Sequence, residues 1–375
     1  MALFSSAQLK QTAAELGFSA CGIAQAAPLS ATRQAERRAW LAEGYQADML
    51  YLEQHTDKRF DPRLLLEGAR TVVSLAVNYY PGSWDELARE LAGTIDAHDT
   101  DEKAGINDEK ADFTDEKADF TDEKAENVAF HQPNAWHLAR YAYGTDYHEV
   151  VKSMLRSLAQ AMGWTTETEV RCFVDTAPID EKYWAEQSGI GWRGRHSQLI
   201  VPHAGSYFFL GELLIVHEAD HYDQPHSPQC PPHCRRCIDA CPTSALRGDG
   251  TLDARRCLSY LSIEHRGPLP PEAAQKMSPC IYGCDRCAEA CPFNRMARRT
   301  TIDALRPRPS LLAMTPEGWI NLSVEQYREL FRKSAVKRAK FEGITRNIQA
   351  VAQTHLRSEA AERDSGSVAK ACGKT

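Results

Sequence analysis

The sequence predicts an α+β protein: a mixed α/β domain, a compact cysteine-dense module after it, and a helical segment towards the C-terminus. Three observations lead there. Helix-like and strand-like patterns alternate through residues 1–90 and again between 139 and 216. Nine of the 12 cysteines fall between Cys230 and Cys291. Beyond Cys291 the chain turns basic and reads as mostly helical to about Gln353.

Taken in order, LKQTAAELGF has the spacing of an amphipathic helix. ERRAWLAEGYQADMLYLEQH is helical in pattern, with Gly44 as a break. TVVSLAVNYY (71–80) is β-branched and aromatic and predicts a buried strand. ARYAYGTDYHEVVKSMLRSLAQAMG reads as a loop followed by a helix. RCFVDTAPI (171–179) predicts a strand closing on a proline-containing turn, and YFFLGELLIV (207–216) a second strong strand. Residues 93–130 stand apart. The tetrad DEKA recurs at Asp101, Asp108, Asp115 and Asp122, a period of seven. A coiled-coil seam needs two apolar positions per heptad, and only Phe113 and Phe120 supply a large one. Low hydrophobicity with many charges predicts a solvated, disordered insert. The expected organisation is an α/β domain from 1–92 and 131–225 around that insert, a cysteine module at 226–300, basic helices at 301–355, and a frayed tail at 356–375.

The bulk numbers are those of a globular protein: 375 residues, 43% hydrophobic, 25% charged. No run approaches the length of a membrane span. The start, MALFSSAQLKQTAAELGF, lacks the apolar core of a signal peptide, so the expected location is the cytoplasm. The net charge of −7 speaks against a surface coated for nucleic acid, although the acidic insert supplies much of it.

The cysteines carry the chemistry. A secreted disulfide protein spreads its cysteines as staples, whereas dense clustering points to metal. Two runs share one spacing: Cys230-x3-Cys234-x2-Cys237-x3-Cys241-Pro242 and Cys280-x3-Cys284-x2-Cys287-x3-Cys291-Pro292. Bacterial ferredoxins use C-x2-C-x2-C-x3-C-P, with the fourth cysteine ligating the other cluster. Paired C-x2-C units also build zinc ribbons. The C-x3-C-P endings and the number of cysteines favour two 4Fe–4S clusters. Spacing alone assigns Cys230, Cys234, Cys237 and Cys291 to one cluster and Cys280, Cys284, Cys287 and Cys241 to the other, leaving Cys257 over.

Several longer motifs resemble one family over nearly the whole chain apart from the insert and tail. They are RFDP (59–62), ARYAYGTDYH (139–148), FVDTAPIDEKYWAEQSGIGWRG (173–194), GSYFFLGELL (205–214), CLSYLSIEHRGPLP (257–270) and IYGCDRCAEACPFN (281–294). The family is epoxyqueuosine reductase, a cobalamin-dependent iron–sulfur enzyme of queuosine biosynthesis in tRNA. The resemblance implies a cobalamin-binding α/β sandwich-like domain, a bacterial-ferredoxin-like two-cluster module and a helical C-terminal segment. It implies reduction of an epoxide on a modified tRNA base to an alkene with loss of water, which consumes two electrons and two protons. It also implies Cys257 as a ligand, so that the second cluster takes Cys241, Cys257, Cys284 and Cys287, with Cys280 spare or an alternative ligand. The family's first gap is x2, so Cys230 departs from the pattern.

The same resemblance makes Asp175 the proton donor, where the residues alone suggest a turn or cap aspartate. An acid working near neutrality needs a raised pKa, expected from burial beside the corrin. Arg59, Tyr141, Gly194, Arg195, Ser197 and Ser259 are implied at the cobalamin. For Arg59 a surface salt bridge is the competing reading. GIGWRG (189–194) formally matches G-x-G-x-x-G but follows a helical stretch, so the dinucleotide reading fails its context. Its glycines are expected to let backbone approach the corrin. The family shows Gly-Lys-Asn after the tryptophan, and this chain has Gly194-Arg195-His196. His196 is not expected to ligate cobalt, and Tyr79 or Tyr80 is expected to face substrate.

The expected partner is tRNA carrying epoxyqueuosine in its anticodon loop. Phosphate contacts are expected from Arg295, Arg298, Arg299, Arg328, Arg332, Lys333, Lys337, Arg338, Lys340 and Arg346, which could equally be a solvated helix face. An external electron donor is required, and a monomer is expected. The competing functions are a reductive-dehalogenase-like cobalamin enzyme and a non-catalytic ferredoxin-type electron carrier.

Overall fold

In the computed structural model the described residues are 3–89 and 136–371, with side chains described to Leu356. The DEKA insert lies outside the described residues, as do residues 372–375.

A four-stranded sheet organises the first domain. Its strands are β1 (Ala20–Gln25), β2 (Thr71–Asn78), β4 (Val170–Phe173) and β7 (Phe208–Ile215), in the order β1-β2-β7-β4. Every pairing is antiparallel. Shorter strands of two or three residues form two further pairs: β3 (His137–Leu138) with β8 (Cys280–Tyr282), and β5 (Trp192–Arg193) with β6 (Leu199–Ile200).

Side chains alternate across a strand, and both faces of this sheet are covered. Val73, Leu75, Val77, Leu213 and Ile215 meet Leu9 and Ala13 of helix α1 (Ser6–Glu15) and Val151, Leu155 and Leu158 of a later helix, α3 (Tyr147–Ala161). On the other face Val72 and Leu214 meet Tyr183 and Trp184 of α4 (Glu181–Gln187). Burial on both faces is why β2 and β7 read as mainly apolar runs, interrupted inside by Ser74 and Glu212. β1 escaped the pattern because it is short and carries Gly22. A Cβ there would stand 2.1 Å from the Ser188 carbonyl oxygen, so the close approach of strand to loop demands glycine.

The cysteine module and the C-terminal helices share one core. Leu258 and Leu261 of α5 (Leu258–Ile263), Ile281 and Tyr282 of β8, Trp319, Phe331, and Ile344, Ile348 and Val351 of α6 (Lys340–Ala371) pack with Leu138 and Tyr143. Buried Arg140 ties this core to the first domain. Its guanidinium bonds Glu289, its amide donates to Asp285 Oδ2 at 2.7 Å, and it lies 4.7 Å from the Trp84 ring.

Two expectations change. The helix α2 (Ala31–Ala42) breaks at Gly44 as expected, but past the break turns and one 3-10 turn (Leu50–Leu52) replace the expected helix, since Gly44 and Ala47 both take positive φ. α6 runs on to Ala371, where a frayed tail from 356 was expected; SEAAERD is rich in strong helix formers that propagate an established helix. Among the described residues, no helix is long and apolar enough to cross a membrane.

Candidate functional site

The two cysteine runs fold as matching loop-and-helix units, with short helices Arg236–Asp239 and Arg286–Glu289 that pack together. Cys230, Cys234, Cys237 and Cys291 line one cavity together with Arg195 and His196. The second group is read from mutual proximity. Burial, and then the neighbouring Cys284, Cys257 and Cys241, push the Cys287 thiol well up. Cys257 is the N-cap residue of α5; burial pushes its thiol up, and the backbone amides of Tyr260 and Ser259 pull the other way. Ala245 N–H donates to Cys241 Sγ at 3.2 Å. Amides aimed at sulfur favour the thiolate that a cluster needs. Cys280 is different. It sits in β8, buried, and its thiol donates to the carbonyls of Tyr282 and Gly283 at 3.3 Å each. A thiol spent as a donor keeps its proton. Among the described residues no three His, Cys, Asp or Glu side chains converge on a single-ion site; a cubane takes one thiolate at each iron corner and needs a wider set.

Asp175 follows β4 and has φ 51°. Thr176 N–H donates to the Val174 carbonyl across it, closing a γ-turn of the uncommon left-handed kind. The turn lifts the carboxylate into an open recess, where it is 58% exposed. Tyr147 hydroxyl donates to Asp175 Oδ2 at 2.7 Å, and His148 Nε2 lies 3.2 Å from the same oxygen. His148 Nδ1 is 2.7 Å from Asp146 Oδ1. Burial works against the charge on His148, but the Asp146 and Asp175 carboxylates outweigh it and raise its pKa to about 9. The expected rise at Asp175 is reversed. Partial desolvation by the surrounding walls pushes its pKa up, but hydrogen bonds from His148 and Tyr147 and the charges of His148 and Lys182 pull it below the usual carboxylate range. Tyr147 and His148 were missed because they follow the N-cap Asp146, where two polar aromatic residues carry no periodic signal.

Next to Asp175 lie a half-buried glutamate and a fully buried one. Glu181 at the start of α4 accepts the Asp175 amide, and burial with the nearby Asp175 charge raises its pKa to about 8. Glu212, fully buried on β7, has neither oxygen satisfied by an ordinary donor among the described residues. Burial and the adjoining Glu181 carboxyl push it well above its usual range, so it is held protonated and can donate to Glu181. A lone charge inside YFFLGELLIV was the sequence signal for it. A carboxyl whose folded pKa is raised stabilises the fold fully below its unfolded pKa and loses that contribution as pH rises. Glu212→Gln is therefore expected to flatten the loss of stability between about pH 5 and 8 by up to ~1.4 kcal/mol per pH unit. Urea melts at both ends of that range check it, and an unchanged slope would mean Glu212 is ionised in the fold.

The remaining predicted residues divide. Ser197, at φ 63°, has a buried hydroxyl with no partner among the described residues, and its carbonyl accepts Lys182 Nζ at 3.0 Å. Ser259 lies half-buried in the first turn of α5, beside Cys257. Tyr141 lies among Tyr79, Tyr147, Phe209 and Tyr282, with its hydroxyl donating to Tyr282 at 3.3 Å. Tyr79 belongs to this aromatic core and Tyr80 stacks on Tyr207 at 4.8 Å, so neither stands free in the recess. Arg59 is buried, not in a surface salt bridge, and donates to the carbonyls of Tyr51 and Gln54. Gly194 is explained by local packing: a Cβ would come within 2.7 Å of Ile200 Cδ1. Arg195 turns to the cluster loop, donating to the carbonyls of Pro232 (2.5 Å) and Cys234 (3.2 Å). Arg295, Arg298, Arg328, Arg332, Lys333, Lys337 and Lys340 are exposed. Arg299 is exposed but bonds the Pro81 carbonyl, and Arg338 pairs with Glu264 at 2.8 Å. Arg346 is taken up by the carbonyls of Leu261, His265 and Gly267, which removes it from the basic surface.

Two cysteine loops of ferredoxin-like spacing, one set of four thiols lining a single cavity, define an iron–sulfur protein. Comparison with known proteins agrees. A model described as a 4Fe-4S double cluster binding domain matches residues 230–294, and one described as Epoxyqueuosine reductase QueG, DUF1730 matches 116–176. The curated epoxyqueuosine reductase of Cyclobacterium marinum is 36% identical over 92% of this chain and 95% of its own length. That of Pseudomonas aeruginosa is 34% identical over 91% and 82%. The structure of epoxyqueuosine reductase from Streptococcus thermophilus superposes with TM-score 0.71 at 28% identity, covering 92% of this chain and 80% of that one. A crystal structure of epoxyqueuosine reductase with an epoxyqueuosine-modified tRNA stem loop shares the fold, with TM-score 0.74 at 23% identity, over 93% and 80%. The chain belongs to the epoxyqueuosine reductase family.

Proposed function

We propose that this protein reduces the epoxide of epoxyqueuosine in tRNA to the alkene of queuosine, releasing water. The observation that carries the proposal is the Asp175 carboxylate, raised on a strained turn into an open recess beside a two-cluster module. Family membership supports the substrate and the cofactors, two 4Fe–4S clusters and cobalamin. Cys230, Cys234, Cys237 and Cys291 are the proposed ligands of one cluster, and Cys241, Cys257, Cys284 and Cys287 of the other. When bound, the clusters and cobalamin supply the low-potential electrons that the opening of the epoxide requires. The buried Ser197 hydroxyl, without a partner among the described residues, supports a polar group of cobalamin at that loop, and Ser259 is proposed to contact the same group.

The chain's own residues manage the first proton that reaches the leaving oxygen, and solvent supplies the second, which completes the water. Asp146, His148 and Asp175 form a carboxylate–imidazole–carboxylate series that holds one proton in the recess. His148 is charged below about pH 9 and hands its proton through Asp175 to the oxygen that leaves carbon. Tyr147 fixes the Asp175 carboxylate for that transfer. Exposed cations between Arg295 and Lys340 hold tRNA phosphates while the modified base leaves its stack to enter the recess. The protein is proposed to act as a monomer in the cytoplasm with electrons from an external donor.

The test is an anaerobic assay with a synthetic epoxyqueuosine stem loop, reductant and reconstituted protein, read by mass spectrometry of the nucleoside. Loss of one oxygen from the base is expected; a protein retaining iron and cobalamin but leaving the epoxide intact would defeat the proposal. Turnover is expected to fall as pH rises through about 9, because His148 then loses its proton. His148→Gln is expected to remove that fall and to lower the rate about 10–100-fold. A variant with the native pH profile would take His148 out of the proton path.

A further inference from the structure

His196 is buried, 2% exposed, and no motif in the sequence gives it a role. Its ring nitrogens are in different circumstances. The backbone N–H of Gln198 donates to Nδ1 at 3.1 Å, so Nδ1 carries the lone pair and the proton sits on Nε2. Nε2 has no partner among the described residues. A buried N–H left unpaired costs about 1–3 kcal/mol, so such a group in a folded protein calls for an acceptor. Among the described residues, the cavity that His196 lines is walled by Arg195 and by Cys230, Cys234, Cys237 and Cys291. The acceptors a filled cavity would offer are sulfurs. Arg195 brings a guanidinium to the same loop, bonded to the carbonyls of Pro232 and Cys234.

We propose that His196 donates a hydrogen bond from Nε2–H to the 4Fe–4S cluster held by Cys230, Cys234, Cys237 and Cys291, and so sets that cluster's reduction potential. Cluster potentials respond to hydrogen bonds on sulfur and to nearby charge. Adding an electron makes the cluster more negative, so an N–H donor stabilises the reduced form and raises the potential. The tuning belongs to this chain's Gly194-Arg195-His196 sequence and rests on the proposed two-cluster assignment. Arg195 acts as a positioning residue: it fixes the loop between Cys230 and Cys234 against the imidazole.

The experiment is a redox titration of the full reconstituted protein, followed by electron paramagnetic resonance, with iron counted first. His196→Phe keeps the ring and removes the donor. One of the two cluster potentials is expected to become more negative by about 59 mV, a tenfold change in the reduced-to-oxidised ratio for one electron. The other is expected to stay put. His196→Asn, which restores an N–H donor on a smaller side chain, is expected to recover most of the shift. Unmoved potentials in His196→Phe with iron retained would overturn the inference. So would equal shifts, or equal loss of one cluster, in both variants, since the imidazole would then be packing alone. A native protein holding no iron would overturn the cluster assignment and this inference together, which distinguishes the two failures.

Discussion

Asp175→Asn is expected to slow epoxide reduction by about 10²–10⁴-fold, the range a positioned general acid contributes. Iron and cobalamin content should be unchanged, because Asp175 holds no cysteine loop. The amide is nearly isosteric and still accepts from the Tyr147 hydroxyl through its oxygen. It cannot exchange a proton with His148, which stands 3.2 Å from Oδ2 in the native protein. The comparison therefore isolates proton transfer from shape. Single-turnover reduction of a modified stem loop, with the tRNA bound at saturation, measures it. A variant with more than a tenth of native turnover would leave Asp175 as a turn residue, the reading its place before Thr176, Ala177 and Pro178 first suggests.

The second large effect separates Cys257 from Cys280. Cys257→Ala is expected to reduce iron from about eight to about four per chain and to abolish turnover, since one cubane would lose a corner. Cys280→Ala is expected to keep about eight irons. The Cys280 thiol already donates to the backbone carbonyls of Tyr282 and Gly283, whereas Cys257 stands at the N-cap of α5 near Cys241. Iron analysis and the spectrum of each reduced variant decide between them. Full iron in Cys257→Ala with loss in Cys280→Ala would restore the assignment that spacing alone prefers.

Spacing does not separate the two. It places Cys280 first in its run, while the pairing of β8 with β3 buries that cysteine in a strand whose own turn supplies the oxygens its thiol meets. Arg195 is a similar case. Its motif suggests a cofactor contact, while the fold sets it against the Pro232 and Cys234 carbonyls. Gly194 likewise answers to Ile200, a neighbour only because β5 and β6 form a hairpin.

What the residues determined by themselves was everything carried by periodicity, spacing and long motifs. β2 and β7 are legible because burial on both faces leaves a mainly apolar run. Two iron–sulfur clusters are legible because C-x2-C and C-x3-C-P encode short-range geometry. What only the fold decided is the state of the protons. Asp175 stays ionised and His148 charged because residues from β4 and α3 meet at the recess. Glu212 is held neutral because the antiparallel register buries it against α4, between Ser74 and Phe173. A pKa depends on which charges and how little water surround a group, and those neighbours are far apart in the chain and adjacent only in the folded protein.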